Sequence, residues 1–202
     1  VAAREFPDTL LLLEHPPVFT VGRGGKDKNI LVSEKILQRE GISVFHIDRG
    51  GDVTYHGPGQ IVGYPIMDLR YHGRDIHLYV RGVEETIIRT LRDMGIAALR
   101  RPGLVGVWVG EEKIASIGIN VRRWITTHGF AFNIDPDLEH FHLINPCGLR
   151  GVRVTSVARL LRRPVDSREV RTKLAHHFGE VFGLEGGLQG SDSEFRNSNL
   201  SF

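Results

Sequence analysis

Residues 49–60 read Arg49-Gly50-Gly51-Asp52-Val53-Thr54-Tyr55-His56-Gly57-Pro58-Gly59-Gln60 and run straight into the apolar segment Ile61-Val62-Gly63-Tyr64-Pro65-Ile66. Four of those twelve residues are glycines, which take positive φ and admit backbone or ligand where a Cβ would collide. Gly57-Pro58-Gly59 reads as a tight turn, because Pro presets φ at its first central position and Gly tolerates positive φ at the second. A hairpin loop accounts for the turn. It does not account for Arg49, Asp52, Thr54, Tyr55, His56 and Gln60, which bring more donor and acceptor chemistry than a connector needs. A binding role therefore stands ahead of a plain turn.

The rest of the 202-residue chain is long enough to bury one sizeable core. Residues 1–184 are expected to form a single domain, with 185–202 a polar, frayed tail poor in groups to bury. The formal charge is +2, and the basic residues form no block. That distribution lacks the clustered basic face of a nucleic-acid binder and suits an acidic protein partner at most. One cysteine, Cys147, excludes an internal disulfide framework and fits a reducing compartment. The reading expects no leader and no membrane span, since the longest apolar run falls far short of about 20 residues, and it takes the cytoplasm as the default location.

Periodicity assigns most of the elements. Thr9–Glu14 and Val18–Val21 are short apolar runs separated by the break at Pro16-Pro17. Gly22-Arg23-Gly24-Gly25-Lys26 lacks the spacing of a phosphate-binding loop and reads as a mobile loop. Ile42–Asp48 alternates in the manner of a half-buried strand that delivers the chain into the glycine-rich stretch. Ile76, Tyr79, Val80, Val83, Ile87, Leu91 and Met94 recur three or four apart, which predicts an amphipathic helix over 75–94 with Asp75 as N-cap and Gly95 at C′. Leu104–Val109, Lys113–Val121 and Gly129–Ile134 predict a three-stranded antiparallel meander. Residues 135–141 read as irregular or briefly helical, and Asn145-Pro146-Cys147-Gly148 as a loop. A last helix spans Ser167–Phe182, opened by the capping pair Asp166 and Glu169. Segregated strands and helices with antiparallel hairpins point to an α+β fold rather than a doubly wound parallel sheet.

Two side chains carry the strongest chemical potential. A lone intracellular cysteine is more often a buried small hydrophobe than a nucleophile, but Pro146 and Gly148 set Cys147 on a loop. Its reactivity requires a nearby cation to favour the thiolate. Lys113 follows Glu111-Glu112 and, read alone, is a solvated turn lysine. It also opens a strand of small and apolar residues, across which its stem can lie. His140-Phe141-His142 and the pair His176-His177 lack a third ligand at usable spacing, so no metal is predicted.

Arg-Gly-Gly-x-x-Thr-Tyr-His-Gly-Pro-Gly-Gln resembles the signature of the lipoyl (octanoyl) transferases. His15-Pro16-Pro17-Val18-Phe19-Thr20, Lys113-Ile114-Ala115-Ser116-Ile117-Gly118 and Asn145-Pro146-Cys147-Gly148 match the same family's pattern in order. The resemblance implies a biotin/lipoate-ligase-like α+β fold of the class II synthetase type, a mixed, largely antiparallel sheet flanked by helices. It implies transfer of an octanoyl or lipoyl group from acyl carrier protein to a lysine of lipoyl domains, those of the 2-oxoacid dehydrogenase complexes and the glycine cleavage H protein. It pairs Lys113 with Cys147 as a catalytic dyad working through a thioester acyl-enzyme. It lines the acyl pocket with Arg49, Gly50, Gly51, Asp52, Val53, Thr54, Tyr55, His56, Ser116, Ile117, Gly118, Gly129, Phe130 and Ala131, the small residues at 118, 129 and 131 leaving room for a straight chain. Neither ATP nor metal is implied, the acyl group arriving on a phosphopantetheine arm, in contrast to the ATP-using ligases of that fold. His56 and His128 each adjoin a matched glycine, and a structural role is as open to them as a catalytic one. Gly63 and Gly106, outside the matched motifs, read as relief of strand crowding. Two other classes stay open on the residues themselves: a cysteine amidase or thioesterase, and a non-catalytic acyl- or protein-binding module.

Overall fold

The computed structural model describes residues 7–145 and 152–184, together with the backbone of 193–194. The chain opens with β1 (Thr9–Leu13) and β2 (Val18–Val21), divided at the Pro16-Pro17 break. A short helix α1 (Glu34–Glu40) follows, closed by Gly41 in the left-handed region at φ 66°. β3 (Ser43–His46), β4 (Val53–His56) and β5 (Gln60–Ile66) come next. The long helix α2 (Ile76–Asp93) has Asp75 as its N-cap, the carboxylate accepting from the Leu78 amide at 3.0 Å. β6 (Leu99–Arg101), β7 (Leu104–Val109), β8 (Glu112–Arg122) and β9 (Ile125–Asn133) form an antiparallel succession. A 3-10 turn at Leu138–Leu143 leads on to α3 (Val157–Leu161) and α4 (Ser167–Phe182). Asp166 caps α4 by accepting from the Arg168 amide at 2.8 Å, while Glu169 pairs with Lys173 one turn on instead of completing a capping box. Within 185–202, the expected frayed tail, Ser193–Glu194 forms β10 against β1 and the other residues lie outside the described ones.

Two sheets result. Seven strands in the order β10-β1-β5-β9-β8-β7-β6 make a wholly antiparallel sheet. The other sheet is β3-β2-β4, with β2 parallel to β3 and antiparallel to β4. The α+β expectation holds, in a mixed and largely antiparallel form. The main core joins the apolar stripe of α2 (Val83, Ile87, Leu91) and that of α4 (Val170, Leu174, Phe178) to Leu10, Leu12, Ile61, Ile114 and Phe132 of the large sheet. A smaller core packs Phe19, Val21, Val53 and Tyr55 of the small sheet against Leu37, Phe141 and Ile144.

The Gly57-Pro58-Gly59 turn is tight, as its residues require: the Gln60 amide donates to the Gly57 carbonyl at 3.1 Å, with Gly59 at φ 81°. It is not a hairpin. β4 before it pairs with β2, whereas β5 after it pairs with β1 and β9, so the turn carries the chain from one sheet to the other. A Cβ on Gly59 would stand 2.3 Å from the Asp135 carbonyl, which excludes any larger residue at the crossing. The expectation of a mobile loop at 22–26 also fails. The amides of Gly22, Arg23 and Gly24 donate to the carbonyls of Asp52, Arg49 and Gly51 at 3.0–3.2 Å, so the two glycine-rich segments are laced together.

Candidate active site

Where the two sheets meet, a cavity of about 1480 Å³ opens, with α2 along one side. Its lining draws together Arg49, Gly50, Gly51, Asp52, Val53, Thr54 and His56 from the glycine-rich stretch, Lys113, Ser116, Ile117 and Gly118 from β8, and Gly129, Phe130 and Ala131 from β9. Every pocket residue expected from the sequence is there except Tyr55. Alternation along β4 turns Tyr55 to the opposite face, where it packs on Phe19 and Phe141 and its hydroxyl meets His140 Nδ1 at 2.9 Å. Burial, with Asp137 nearby, raises that phenol to about 12. Cys147 lies outside the described residues.

Arg49 is buried and forms the floor of one end. Its Nη2 donates to the Thr20 carbonyl at 2.6 Å and to Thr20 Oγ1 at 2.9 Å, and its Nη1 donates to the Gly50 carbonyl at 2.9 Å. The Gly50 amide donates to the Ile119 carbonyl of β8 at 2.8 Å, docking the stretch on the large sheet. This docking changes the account of the small residues. A Cβ on Gly118 would meet the Gly50 carbonyl at 2.9 Å and Arg49 Cδ at 3.1 Å, and one on Gly129 would meet the Gly63 carbonyl at 2.1 Å. Both glycines make room for the protein's own chain rather than for a ligand. Gly63 in turn lies under the Phe130 ring, 2.1 Å from where its Cβ would be.

His56 is tied at both nitrogens. Gln60 Nε2 donates to the Tyr55 carbonyl and to Asn133 Oδ1, which leaves Gln60 Oε1 to accept from His56 Nδ1 at 2.8 Å. Thr20 Oγ1, already accepting from Arg49, gives its proton to His56 Nε2 at 3.3 Å. The network thus assigns a neutral imidazole with its proton on Nδ1. Burial, helped by the positive charge of Arg49, pushes His56 down to about 4. His15, which lines the cavity from a matched motif, meets the Tyr64 hydroxyl at 2.6 Å and is lowered by burial. His128, at φ 59°, bonds Asp48 Oδ1 through Nε2 at 2.6 Å, and that bond holds the Asp48 carboxyl below the usual range.

Lys113 is not a solvated turn residue. It is 7 % exposed, and its Nζ lies 5.3 Å from the centroid of the Trp108 ring, with the Arg101 guanidinium carbon also 5.3 Å from that centroid. Two features of β7 shape this corner. A register shift between Val107 and Trp108 sets Trp108 opposite Lys113, and Gly106 at φ 124° leaves the space the lysine stem fills, 2.6 Å from a would-be Cβ to Lys113 Cε. The Gly106 amide donates to Glu84 Oε1 of α2 at 2.9 Å. On its other side Lys113 forms a parallel bridge with Val154: its amide donates to the Arg153 carbonyl at 2.8 Å, and the Thr155 amide donates to its carbonyl at 3.0 Å. Trp108, Gly106 and Glu84 belong to no recognised motif. A glycine inside a β-rich run is the one signal, since it marks close approach of another group.

Outside the cavity, His176 and His177 come together with Glu180, their ligand atoms within 4.8 Å of one another. Glu180 is thus a third donor beside the two imidazoles, which the histidine spacing alone does not reveal. No helix among the described residues is long and apolar enough to cross a membrane.

This fold, a mostly antiparallel sheet flanked by helices, is similar to those of solved lipoate and biotin protein ligases. A putative lipoate protein ligase of T. acidophilum, Ta0514, solved with bound lipoic acid, superposes with a TM-score of 0.72 at 21 % identity, covering 90 % of this chain and 77 % of that one. The biotin protein ligase of Aquifex aeolicus in complex with biotin and ATP gives a TM-score of 0.51 at 14 % identity over 63 % of this chain and 51 % of its own. Residues 1–179 match the model of the lipoyl protein ligase A/B catalytic domain, and the chain belongs to that family. A relative named octanoyltransferase, from Caldicellulosiruptor saccharolyticus, is 56 % identical over 185 residues, covering 91 % of this chain and 79 % of its own.

Proposed function

We propose that this cavity passes an octanoyl group through a thioester on Cys147, with Lys113 as its proton-transfer partner. The chain is an acyltransferase that moves octanoyl groups in protein lipoylation, as its family and its relatives at 50–56 % identity over most of the chain indicate. The single observation that carries the proposed route is the buried amine of Lys113 in the cavity wall, hydrogen-bonded through its backbone to Arg153, six residues after Cys147.

In the first half-reaction the Cys147 thiolate, favoured by the Lys113 ammonium, attacks the thioester carbonyl of octanoyl-acyl carrier protein. The tetrahedral adduct expels the pantetheine thiolate, which takes its proton from Lys113. In the second, the target lysine of a lipoyl domain attacks the Cys147 thioester as a free amine. The neutral Lys113 receives the proton it sheds, and Cys147 leaves as thiolate. Lys113 thus gives one proton and recovers one per turnover. Thioester exchange is nearly isoenergetic and aminolysis to an amide runs downhill, so the scheme draws on neither nucleotide nor metal.

The partners fit the rim. Arg81 and Arg101 line the cavity beside α2 and β6, next to Arg100 in its ion pairs with Glu84 and Glu85, and these two arginines are the cations offered to a phosphopantetheine phosphate and an acidic carrier. The lipoyl domains of 2-oxoacid dehydrogenase complexes and the glycine cleavage H protein are the proposed acceptors, and the cytoplasm the proposed setting. Intact mass after incubation with octanoyl-acyl carrier protein tests the route: one octanoyl adduct on the wild type and none on Cys147→Ala supports it. Transfer by Cys147→Ala at wild-type rate removes the thioester. Adding an apo lipoyl domain separates transfer from hydrolysis, the amidase or thioesterase alternative.

A further inference from the structure

We propose that Asn133 is a positioning residue for Lys113, acting through the backbone of Thr155; the proposal rests on the role given to Lys113 above. Asn133 ends β9 and is 4 % exposed. Its Oδ1 accepts from Gln60 Nε2 at 2.9 Å and its Nδ2 donates to the Thr155 carbonyl at 3.1 Å. The Thr155 amide then donates to the Lys113 carbonyl at 3.0 Å. On the other side of Gln60 the bonds continue through His56 and Thr20 to the buried guanidinium of Arg49. A continuous line of hydrogen bonds therefore runs beneath the cavity, from the glycine-rich stretch to the backbone of the catalytic lysine.

That line ends beside an irregularity in the large sheet. The ladder between β7 and β8 shifts register at Val107/Trp108, directly opposite the lysine. On the other side its backbone forms a parallel bridge with Val154. The bridge is made of two backbone bonds, and the buried amide of Asn133 anchors the Thr155 carbonyl at its far edge. The amide is itself oriented, because Gln60 holds Oδ1 and so directs Nδ2 at Thr155. The anchored segment, 152–155, also carries the chain out of the six residues that include Cys147. Displacements on the order of 1 Å at a reacting pair cost about 100-fold in rate.

Two full-length variants test this. Asn133→Ala removes both bonds, and Asn133→Asp keeps an oxygen for Gln60 while losing the donor to Thr155. Each is compared with the wild type in the pH midpoint of Cys147 alkylation by iodoacetamide, in kcat and KM for octanoyl-acyl carrier protein, and in amide hydrogen exchange. The expected result is an upward shift of the alkylation midpoint and a fall in kcat of about 100-fold with KM changed less than about twofold. Exchange at the Thr155 amide accelerates while that of Ile117 keeps its wild-type rate. Should Asn133→Ala not fold, Asn133→Asp decides alone. A variant with a lowered Tm but the wild-type midpoint and kcat makes Asn133 a purely structural residue and overturns the proposal. A wild type that takes no octanoyl group on Cys147 refutes the thioester route itself, a different outcome from variants that match an active wild type.

Discussion

At the Arg49 end of the cavity the polar side chains answer one another: guanidinium to Thr20, Thr20 to His56, His56 to Gln60, Gln60 to Asn133. At the Lys113 end, among the described residues, the buried Trp108 Nε1 and Thr155 Oγ1 have no hydrogen-bond partner, and two cations lie within 5.3 Å of one indole centroid. A closed network is stiff and pre-set, and it resists change because every broken bond strands a buried partner. Unmet donors beside a cation are a cost the fold carries where chemistry takes place. On the proposed route the first end is scaffold and the second the place of reaction, and substitutions at the two ends are expected to fail in different ways.

The largest separation comes from Lys113→Ala. Proton transfer by a positioned side chain contributes about 100- to 10,000-fold, and kcat should fall within that range while Tm changes little. A loss of fold instead of rate would place Lys113 with the scaffold and break the contrast. Gly106→Ala attacks the same corner indirectly, by strain at φ 124° and by a Cβ 2.6 Å from Lys113 Cε. Its expected signature is a destabilisation of about 1–3 kcal/mol accompanied by a drop in kcat of about tenfold or more, read from urea unfolding and steady-state kinetics on the same sample.

The scaffold end has its own pH signature. His56 falls from 6.5 to about 4 on folding, so between those values the unfolded chain binds a proton that the folded chain refuses. Stability is then complete above about 6.5 and drains away as pH drops toward 4, by on the order of 3 kcal/mol at most. Urea unfolding from pH 7 to pH 4 should show that slope in the wild type and a flatter one in His56→Gln; equal slopes would take His56 out of the network. The smallest effect is expected from Trp108→Phe. It removes an unsatisfied buried donor and keeps an aromatic face for the two cations, so stability should stay within about 1 kcal/mol or rise. A loss above 2 kcal/mol would mean that the indole N–H is already satisfied and that the two ends are built alike.

The sequence makes the elements legible wherever periodicity is long and the ends are chemically marked. The two long helices fall within a residue or so of their observed limits, because Asp75, Gly95, Asp166 and Gly183 punctuate stripes of large apolar residues. α1, β6 and α3 span three to seven residues and escaped, being too short to establish a period. Partner choice was the harder loss. A turn at Gly57–Gly59 reads identically whether its flanking strands pair with each other or enter separate sheets, since that is decided by β1, β2 and β9 far away in sequence. At the site, many of the described motif residues converge on the cavity wall, from His15 and Thr20 through Arg49–Thr54 to Ser116–Gly118. Gly106 was legible as relief of crowding, but the lysine stem that fills the space was not, and Trp108, Glu84 and Asn133 lie outside the matched motifs with no spacing that marks them. Gly118 and Gly129 show the converse: their smallness was legible, but what occupies the space was not.

The two-ended account stands on chemistry at the Lys113 corner passing through sulfur, and one rapid-quench experiment addresses this. Isolated octanoylated wild-type protein is mixed with an apo lipoyl domain, and loss of the adduct is timed against appearance of the octanoyl amide. The account predicts that both occur together, at a rate no slower than kcat measured with octanoyl-acyl carrier protein. An adduct that persists while steady-state turnover proceeds at full rate would contradict it.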